Sequence, residues 1–148
     1  MSKTYTFSDL KMLTGATLRS WFDKGSISGK GRFAVVDVRD SDYVGGHLKG
    51  CYHYPAGDFE SQLPELKQRL YNNHIDDVVF HCALSQSRGP SSALKFLRSL
   101  EDTIDPDEVQ YFEDLNVWLL KGGFNKWQQV YGEDTKVTEG YDKELWQS

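Results

Sequence analysis

Short apolar runs alternate with helical patterns along this chain. Three runs are apolar at nearly every position, which is typical of strands buried on both faces of a sheet. They are Phe33–Val38, Asp77–Cys82 and Val117–Leu120, and weaker strand candidates lie around Met12–Leu13 and at Cys51–Tyr54.

Helical periodicity fills the intervals between these runs. Apolar residues recur at helical spacing in four segments, which are Thr17–Asp23, residues 58–72, Pro90–Leu100 and a segment that starts after Gly123. Pro64 predicts that the second segment divides into two short helices, because proline removes a helical hydrogen bond. Strands that alternate with helices predict an α/β fold with a parallel sheet covered on both faces.

Three stretches do not follow this alternation. Gly25–Gly31 is predicted to be a flexible loop, because it is rich in Gly and Ser. Residues 101–116 hold seven acidic residues and no Lys or Arg, which predicts a solvent-exposed helix face with an acidic cap. The polar tail from Gly132 onward is expected to follow the surface of the domain.

Composition narrows the class of protein. The 148 residues include 17 Lys and Arg against 22 Asp and Glu, which gives a formal net charge of −5. The length indicates one domain over residues 1–148, and the acidic balance argues against binding to nucleic acid or to an anionic membrane. Met1–Phe7 has no apolar run of signal-peptide length, and no stretch could span a bilayer. We therefore expect a cytoplasmic protein, with the nucleus as the alternative.

The cysteine and histidine content limits the kinds of site. Cys51 and Cys82 are too few for a disulfide-dense scaffold or for a zinc site made of four cysteines. His47, His53 and His74 match no helical metal-binding spacing. We therefore predict no metal site.

The segment from His81 to Pro90 carries the candidate chemistry. It lies where a predicted buried strand ends and an amphipathic helix begins, and ligands of parallel α/β sheets bind at such strand ends. Cys82 opens the intervening loop and Arg88 closes it. No proline interrupts the loop, so the backbone N–H groups are free to point inward from Ala83, Leu84, Ser85, Gln86 and Ser87.

Amide donors, a helix N-terminus and a guanidinium together form a binding site for a tetrahedral oxyanion. The same groups stabilise a thiolate, which makes Cys82 the candidate nucleophile. The alternative interpretation is a buried structural cysteine, with Arg88 paired to nearby acids. For His81, two roles stay open: a ring hydrogen bond that orders the loop, or packing at the end of the strand.

Three sequence blocks resemble the rhodanese superfamily and, within it, the branch of the M-phase inducer phosphatases and the small eukaryotic arsenate reductases. The blocks are Val35–Arg39 followed by Asp42–Gly50, the His81-Cys-x5-Arg88-Gly-Pro loop, and Val117–Trp127. The recognisable core covers residues 33–131, with a flexible N-terminal segment and a C-terminal tail outside it. The resemblance implies a rhodanese-like fold, with a central parallel sheet of about five strands and helices on both faces.

Loop length separates the branches of this superfamily. Rhodanese sulfurtransferases have one residue fewer between the cysteine and the arginine, which suits a cysteine persulfide, whereas the longer loop found here suits phosphate or arsenate. Two departures from the M-phase inducer phosphatases weigh against a cell-cycle role: Ala83 replaces a glutamate, and Val38 replaces a second cysteine that could protect the nucleophile as a disulfide. Cys51 lies on a different predicted strand, and we interpret it as a small core residue.

The remaining polar residues of the first block raise the question of the general acid. Asp37 and Arg39 end the strand predicted beside the strand of Cys82, and we interpret them as an internal ion pair or a loop anchor. The chain lacks the Trp-Pro-Asp tripeptide of classical tyrosine phosphatases, so no general acid is selected among the conceivable donors Asp40, Asp42, Glu113 and Asp114. Without a strong acid, activated aryl phosphates are expected to be cleaved better than alkyl phosphates.

Three functional hypotheses follow. The first is a cysteine-dependent phosphatase, without metal or organic cofactor, that acts on a phosphorylated small molecule or a phosphoprotein through a cysteinyl-phosphate. In this hypothesis Arg88 and the amides of residues 83–88 bind the phosphate oxygens, while Ser85 and Ser87 offer hydroxyl hydrogen bonds. The second is an arsenate reductase whose Cys82 adduct is resolved by glutathione or a glutaredoxin. The third is a sulfurtransferase or a non-catalytic rhodanese-like module.

Overall fold

The structure is a computed structural model that describes residues 5–26 and 31–146. Residues 27–30 of the loop predicted at Gly25–Gly31 lie outside the described residues. The first four residues of the predicted N-terminal segment and the last two of the tail lie outside them as well.

Five parallel strands form the central sheet. The strands of the described residues are β1 (Lys11–Leu13), β2 (Phe33–Asp37), β3 (His47–Leu48), β4 (Tyr52–His53), β5 (Asp77–His81), β6 (Asn116–Leu120) and β7 (Thr138–Glu139). The sheet has the order β1-β6-β5-β2-β4, and every neighbouring pair is parallel. β5, which leads to Cys82, is therefore the central strand, and all five of its residues are buried.

Helices connect the strands, as the alternation of patterns predicts. They are α1 (Gly15–Lys24), α2 (Phe59–Asn72), α3 (Arg88–Ser99), α4 (Pro106–Asp114), α5 (Gly123–Tyr131) and α6 (Lys143–Trp146). α4 lies in the acidic stretch, is mostly exposed and is capped at its N-terminus by Asp105, whose carboxylate accepts the N–H of Glu108 at 3.3 Å. Within the described ranges, no helix has the length and apolar character needed to cross a membrane.

The two faces of the sheet have separate cores. Successive side chains of a strand point to opposite faces, so Val78 and Phe80 pack with α2, α3 and α4, whereas Val79 packs with α1 and α5. Helices thus cover both faces of the parallel sheet, and the predicted fold class is confirmed.

The predicted break at Pro64 is wrong, because α2 runs through this residue without interruption. Proline removes one hydrogen bond to the carbonyl four residues earlier, which belongs to Glu60. Glu60 is exposed, so water satisfies this carbonyl at little cost. Burial of Phe59, Leu66 and Leu70 against the sheet stabilises the helix on both sides of the proline.

A second, two-stranded sheet was not predicted. β3 pairs antiparallel with β7 from the C-terminal tail, and each strand has only two residues, too few to show a periodicity. Further along the tail, the indole N–H of Trp146 donates to the carbonyl of Gly45 at 2.9 Å. The tail therefore returns to the segment between β2 and β4.

Asp37 and Arg39 form a fully buried ion pair at the end of β2. The guanidinium donates to Asp37 Oδ2 at 2.8 Å and to the carbonyl of Gly46 at 2.8 Å. It also lies 4.3 Å above the ring of Phe124. Burial opposes ionisation of Asp37, but His81 and the hydrogen bonds from Arg39 hold the pKa of Asp37 below its ordinary value. The sequence interpretation of these residues as an internal ion pair is confirmed.

Asp37→Asn should destabilise the protein strongly, because it leaves the Arg39 charge buried without a counter-charge. We expect a loss of about 3–5 kcal/mol in the free energy of unfolding, measured by urea denaturation. Glu60→Gln is the matched control, because it breaks an exposed ion pair with Lys95 at 3.3 Å and should cost less than about 1 kcal/mol. Equal losses in the two variants would contradict the role given to the buried pair.

Candidate active site

The site lies at the carboxyl end of the central strand. Cys82 follows the last residue of β5, and Arg88 is the first residue of α3. The predicted loop residues 83–87 connect them without regular secondary structure. Cys82 is only 2% exposed, whereas Leu84 is 49% exposed. The nucleophile candidate therefore lies at the bottom of the loop, and part of the loop rim faces solvent.

Two backbone amides point at the Cys82 sulfur. The N–H groups of Ser85 and Gly89 donate to Sγ over 3.2 Å and 3.3 Å. Gly89 belongs to the first turn of α3, where N–H groups lack intrahelical partners. The amide of Gly89 lies outside the predicted set of donors, which extends to residue 88.

Ser85 adopts a conformation that is uncommon for a residue with a side chain. Its φ is +56°, in the left-handed region, and its N–H donates to the sulfur. The Ser85 hydroxyl is buried and has no hydrogen-bond partner among the described residues.

The first turn of α5 binds the outer side of the loop. Phe124 N–H donates to the carbonyl of Cys82 at 3.0 Å, and Asn125 N–H donates to the carbonyl of Ala83 at 2.9 Å. Gly123 permits this close approach, because its φ is +58° and a Cβ there would collide with the same two carbonyl oxygens. With these carbonyls held outward, the following N–H groups of the loop are free to face inward.

His81 has both of the roles that the sequence left open. It is completely buried, and its Nδ1 lies 3.0 Å from the carbonyl of Cys82, which must accept, so Nδ1 carries a proton. Its Nε2 lies 3.6 Å from Asp37 Oδ2, beyond hydrogen-bond distance. Burial lowers the pKa of His81 more than the neighbouring Asp37 raises it. His81 supports the loop through the backbone of Cys82.

Arg88 pairs with two carboxylates from the segment after β2. Its two terminal nitrogens lie 2.8 Å and 2.6 Å from the two oxygens of Asp42, and Nη1 lies 3.2 Å from Asp40 Oδ2. Hydrogen bonding to Asp42 raises the pKa of Arg88. In turn, the hydrogen bond from Arg88 lowers the pKa of Asp42 to about 2, although partial burial opposes the shift.

These contacts reduce the set of conceivable general acids. Asp42 is ionised at neutral pH and has no proton to give. Glu113 and Asp114 lie at the end of α4, directly before β6, and therefore at the opposite edge of the sheet from Cys82. Asp40 accepts the N–H of Gly57 at 2.9 Å on one oxygen and Arg88 on the other. Both carboxylate oxygens of Asp40 are therefore already engaged as acceptors.

Cys51 lies apart from the loop. Its sulfur is 3.8 Å from the hydroxyl of Tyr43, and it packs at the edge of the core beside α1 and α5. Burial is the main cause that raises the pKa of Cys51 to about 12. His47 and His53 stack on the ring of Tyr43, and no group of three or more metal-ligating side chains occurs within residues 5–26 and 31–146.

A parallel α/β sheet with a cysteine loop between its central strand and the next helix defines a known class of protein. The family profile of the rhodanese-like domain matches residues 17–130, and the chain belongs to this family. The branch resemblance inferred from the sequence blocks agrees with the relatives described next.

The relatives include both a phosphatase and an arsenate reductase. The CDC25-like phosphatase YCH1 of Saccharomyces cerevisiae is 41% identical over an alignment of 152 positions, which covers 97% of this chain and 98% of that protein. Arsenate reductase 2.2 of rice (Oryza sativa subsp. japonica) is 40% identical over 98 residues, which cover 66% of this chain and 70% of the reductase. The structure of Ygr203w, a yeast protein tyrosine phosphatase of the rhodanese family, superposes with a TM-score of 0.82 at 40% identity, covering 94% of this chain and 98% of that one.

Gly123→Ala should displace the loop. The left-handed backbone at this position is strained for alanine, and the new Cβ would collide with the carbonyls of Cys82 and Ala83. The geometry around the sulfur should therefore change. We expect the rate of Cys82 alkylation by iodoacetamide to change at least about 5-fold, because the amide hydrogen bonds to the sulfur would be disturbed. Cys51→Ser in both proteins restricts the reaction to Cys82.

Gly50→Ala is the matched control for this test. Gly50 also has a left-handed φ, +73°, but a Cβ there meets nothing within 4 Å. Both variants should lose about 1–2 kcal/mol of stability from the backbone conformation, whereas only Gly123→Ala should change the alkylation rate. The same change in both variants would contradict the anchoring role of Gly123.

Arg88→Met should restore the ordinary acidity of Asp42. In the native protein the Asp42 carboxyl should titrate near its pKa of about 2, and in the variant close to the ordinary 3.8, as followed by carboxyl carbon NMR. Because the folded state lowers this pKa, the stabilisation by the pair is complete above pH 4 or so and disappears as the pH falls through about 2. An unchanged titration in Arg88→Met would show that the pair is absent in solution.

Proposed function

We propose that this protein is a cysteine-dependent phosphatase that hydrolyses phosphate monoesters, with aryl and phosphotyrosine-like esters preferred, through a cysteinyl-phosphate. The observation that carries the proposal is the sulfur of Cys82, which receives two amide hydrogen bonds at the base of a loop that Arg88 closes. The similarity to a CDC25-like phosphatase along nearly the whole chain supports it.

In the proposed reaction, the Cys82 thiolate attacks phosphorus opposite the ester oxygen. A sulfur–phosphorus bond forms while the phosphorus–oxygen bond breaks, and its electron pair leaves with the alcohol or phenol oxygen. Water then attacks the cysteinyl-phosphate and releases inorganic phosphate and the thiolate. The site residues proposed to bind the equatorial oxygens are Arg88 and the amides of Ala83, Leu84, Ser85, Gln86 and Ser87, with His81 in a supporting role.

The hydroxyl of Ser85 is suited to the second step of this reaction. It is buried, has no partner among the residues that the structure describes, and belongs to the residue whose N–H donates to the sulfur. An O–H donor at this place would stabilise the thiolate as the sulfur leaves phosphorus. Ser87 is exposed, so its hydroxyl has competing hydrogen bonds from water.

Arsenate reduction is the second candidate, and similarity to a rice arsenate reductase favours it. Arsenate has nearly the same shape as phosphate and would occupy the same loop. The Cys82–arsenate adduct would need a thiol to resolve it, and Cys51 is engaged with Tyr43, so glutathione or a glutaredoxin would supply this thiol. Sulfur transfer is less supported, because the loop has the longer spacing.

Three assays on the purified protein distinguish these reactions. They are hydrolysis of p-nitrophenyl phosphate, glutathione-dependent reduction of arsenate, and transfer of sulfur from thiosulfate to cyanide. We expect phosphate release, and we expect Cys82→Ser to reduce it at least about 1000-fold, as loss of a nucleophile does. Cys51→Ser is the matched control and should retain activity.

The outcomes separate the proposals clearly. Phosphate release that survives Cys82→Ser would exclude the cysteinyl-phosphate. Arsenate reduction without phosphate release would favour the second candidate, and sulfur transfer alone would overturn the argument from loop length. A comparison of p-nitrophenyl phosphate with an alkyl phosphate tests the preference for good leaving groups.

A further inference from the structure

The contacts of Arg88 with the rest of residues 5–26 and 31–146 leave one edge of its guanidinium free. A guanidinium has five N–H groups in one plane. The two oxygens of Asp42 take one N–H from each terminal nitrogen, and Asp40 takes the second N–H of Nη1. Two donors are left, the N–H of Nε and the second N–H of Nη2. None of the hydrogen bonds within the described ranges uses Nε of Arg88.

The two free donors lie along the same edge of the planar guanidinium and point in the same direction. Such a pair matches two oxygens of a phosphate group and gives two parallel hydrogen bonds. A freely rotating arginine would present this edge only part of the time. An arginine held at its other edge presents it continuously.

The two carboxylates are themselves fixed by backbone groups. Asp42 Oδ1 accepts the N–H of Asp40 at 2.9 Å, and Asp40 Oδ1 accepts the N–H of Gly57 at 2.9 Å. The carbonyl of Asp42 also lies 3.4 Å from a terminal nitrogen of the buried Arg39. The carboxylates are therefore attached to the sheet through the segments that follow β2 and β4.

We propose that Asp42, assisted by Asp40, is a positioning residue that orients Arg88 so that its Nε and Nη2 donors face an oxyanion bound at the Cys82 loop. The inference rests on the proposed function in that Arg88 binds the substrate oxygens. It adds to that function a residue that touches neither the substrate nor the sulfur. Asp42 and the oxyanion bind different edges of one guanidinium and stay bound together.

An opposite role for Asp42 makes the opposite prediction. If Asp42 competed with the oxyanion for Arg88, its removal would free the arginine and tighten anion binding. Electrostatic repulsion alone also predicts tighter anion binding without Asp42, because Asp42 adds a negative charge near the anion site. Only the positioning role predicts that loss of this negative charge weakens the binding of an anion.

The test measures binding of inorganic phosphate to the Cys82→Ser protein by titration calorimetry, so that no turnover is needed. Asp42→Asn in this background should weaken phosphate binding about 10-fold, the effect of losing well-aligned hydrogen bonds to a charged group. Asp42→Glu, which keeps the carboxylate, should recover part of the loss. Glu133→Gln is the matched control, because it removes one negative charge from an exposed pair with Lys143 and should leave binding unchanged.

A double-mutant cycle with Arg88→Lys distinguishes positioning from a general structural effect. Lysine has no planar edge to orient, so Asp42→Asn should change phosphate binding by less than about 2-fold in the Arg88→Lys background. In the protein with Cys82 intact, Asp42→Asn should lower kcat for p-nitrophenyl phosphate more than it raises KM, because the aligned edge is used most fully in the transition state.

The two proposals fail in different ways. Equal or tighter phosphate binding by Asp42→Asn overturns the positioning role, whatever the activity of the enzyme. An equal effect of Asp42→Asn with arginine or lysine at position 88 overturns it as well. A protein without phosphatase activity in which Asp42→Asn weakens phosphate binding keeps the positioning role and loses the proposed function. Absence of phosphate binding in the Cys82→Ser parent overturns both.

Discussion

The direction of two carbonyl groups determines the geometry of the cysteine loop. N–H groups can face the centre of a tight loop only if the neighbouring carbonyls face away from it, and carbonyls buried there need partners. The N-terminus of α5 has N–H groups without helical partners, and two of them bind the carbonyls of Cys82 and Ala83. The N–H groups of α5 and the two loop carbonyls thus satisfy each other's hydrogen-bonding capacity. The position of the Cys82 sulfur therefore depends on a helix that follows the next strand of the sheet, and on Gly123, whose missing side chain lets the two backbones approach.

Charge is arranged in layers around this loop. The Asp37–Arg39 pair is fully buried, and Arg39 binds the backbone of the segment that carries Asp42. Asp42 and Asp40, about two-fifths exposed, hold Arg88 in turn. Water screens a buried ion pair only weakly, so the Asp37–Arg39 pair makes the end of β2 rigid. The half-exposed pairs of Arg88 with Asp40 and Asp42 orient the arginine but add little to stability. Much of the chain's negative charge lies away from this loop, because residues 101–116 around α4 hold seven acidic residues.

The fold and the loop could be predicted because both are determined by residues that lie close together in the sequence. Alternating apolar runs and helices indicate the parallel sheet, and the spacing from Cys82 to Arg88 indicates an oxyanion loop at a strand end. Contacts between distant segments left no such local signal. The pairing of Arg88 with Asp42 joins residues that are 46 positions apart, and nothing in the periodicity marks it. The two-residue strands β3 and β7, and the tolerance of α2 for Pro64, likewise depend on tertiary structure.

Proton supply limits which phosphate esters the proposed phosphatase would cleave at this site. An ester oxygen that leaves as an alkoxide needs a proton from the protein, and Asp42 is ionised while both oxygens of Asp40 already accept hydrogen bonds. A phenol leaves readily without that proton. Arsenate carries its own exchangeable protons, so an oxygen can depart as water without a protein acid. Under the proposed function, the same loop would accept aryl phosphates and arsenate alike, whereas an alkyl phosphate would still need a proton donor for its leaving oxygen.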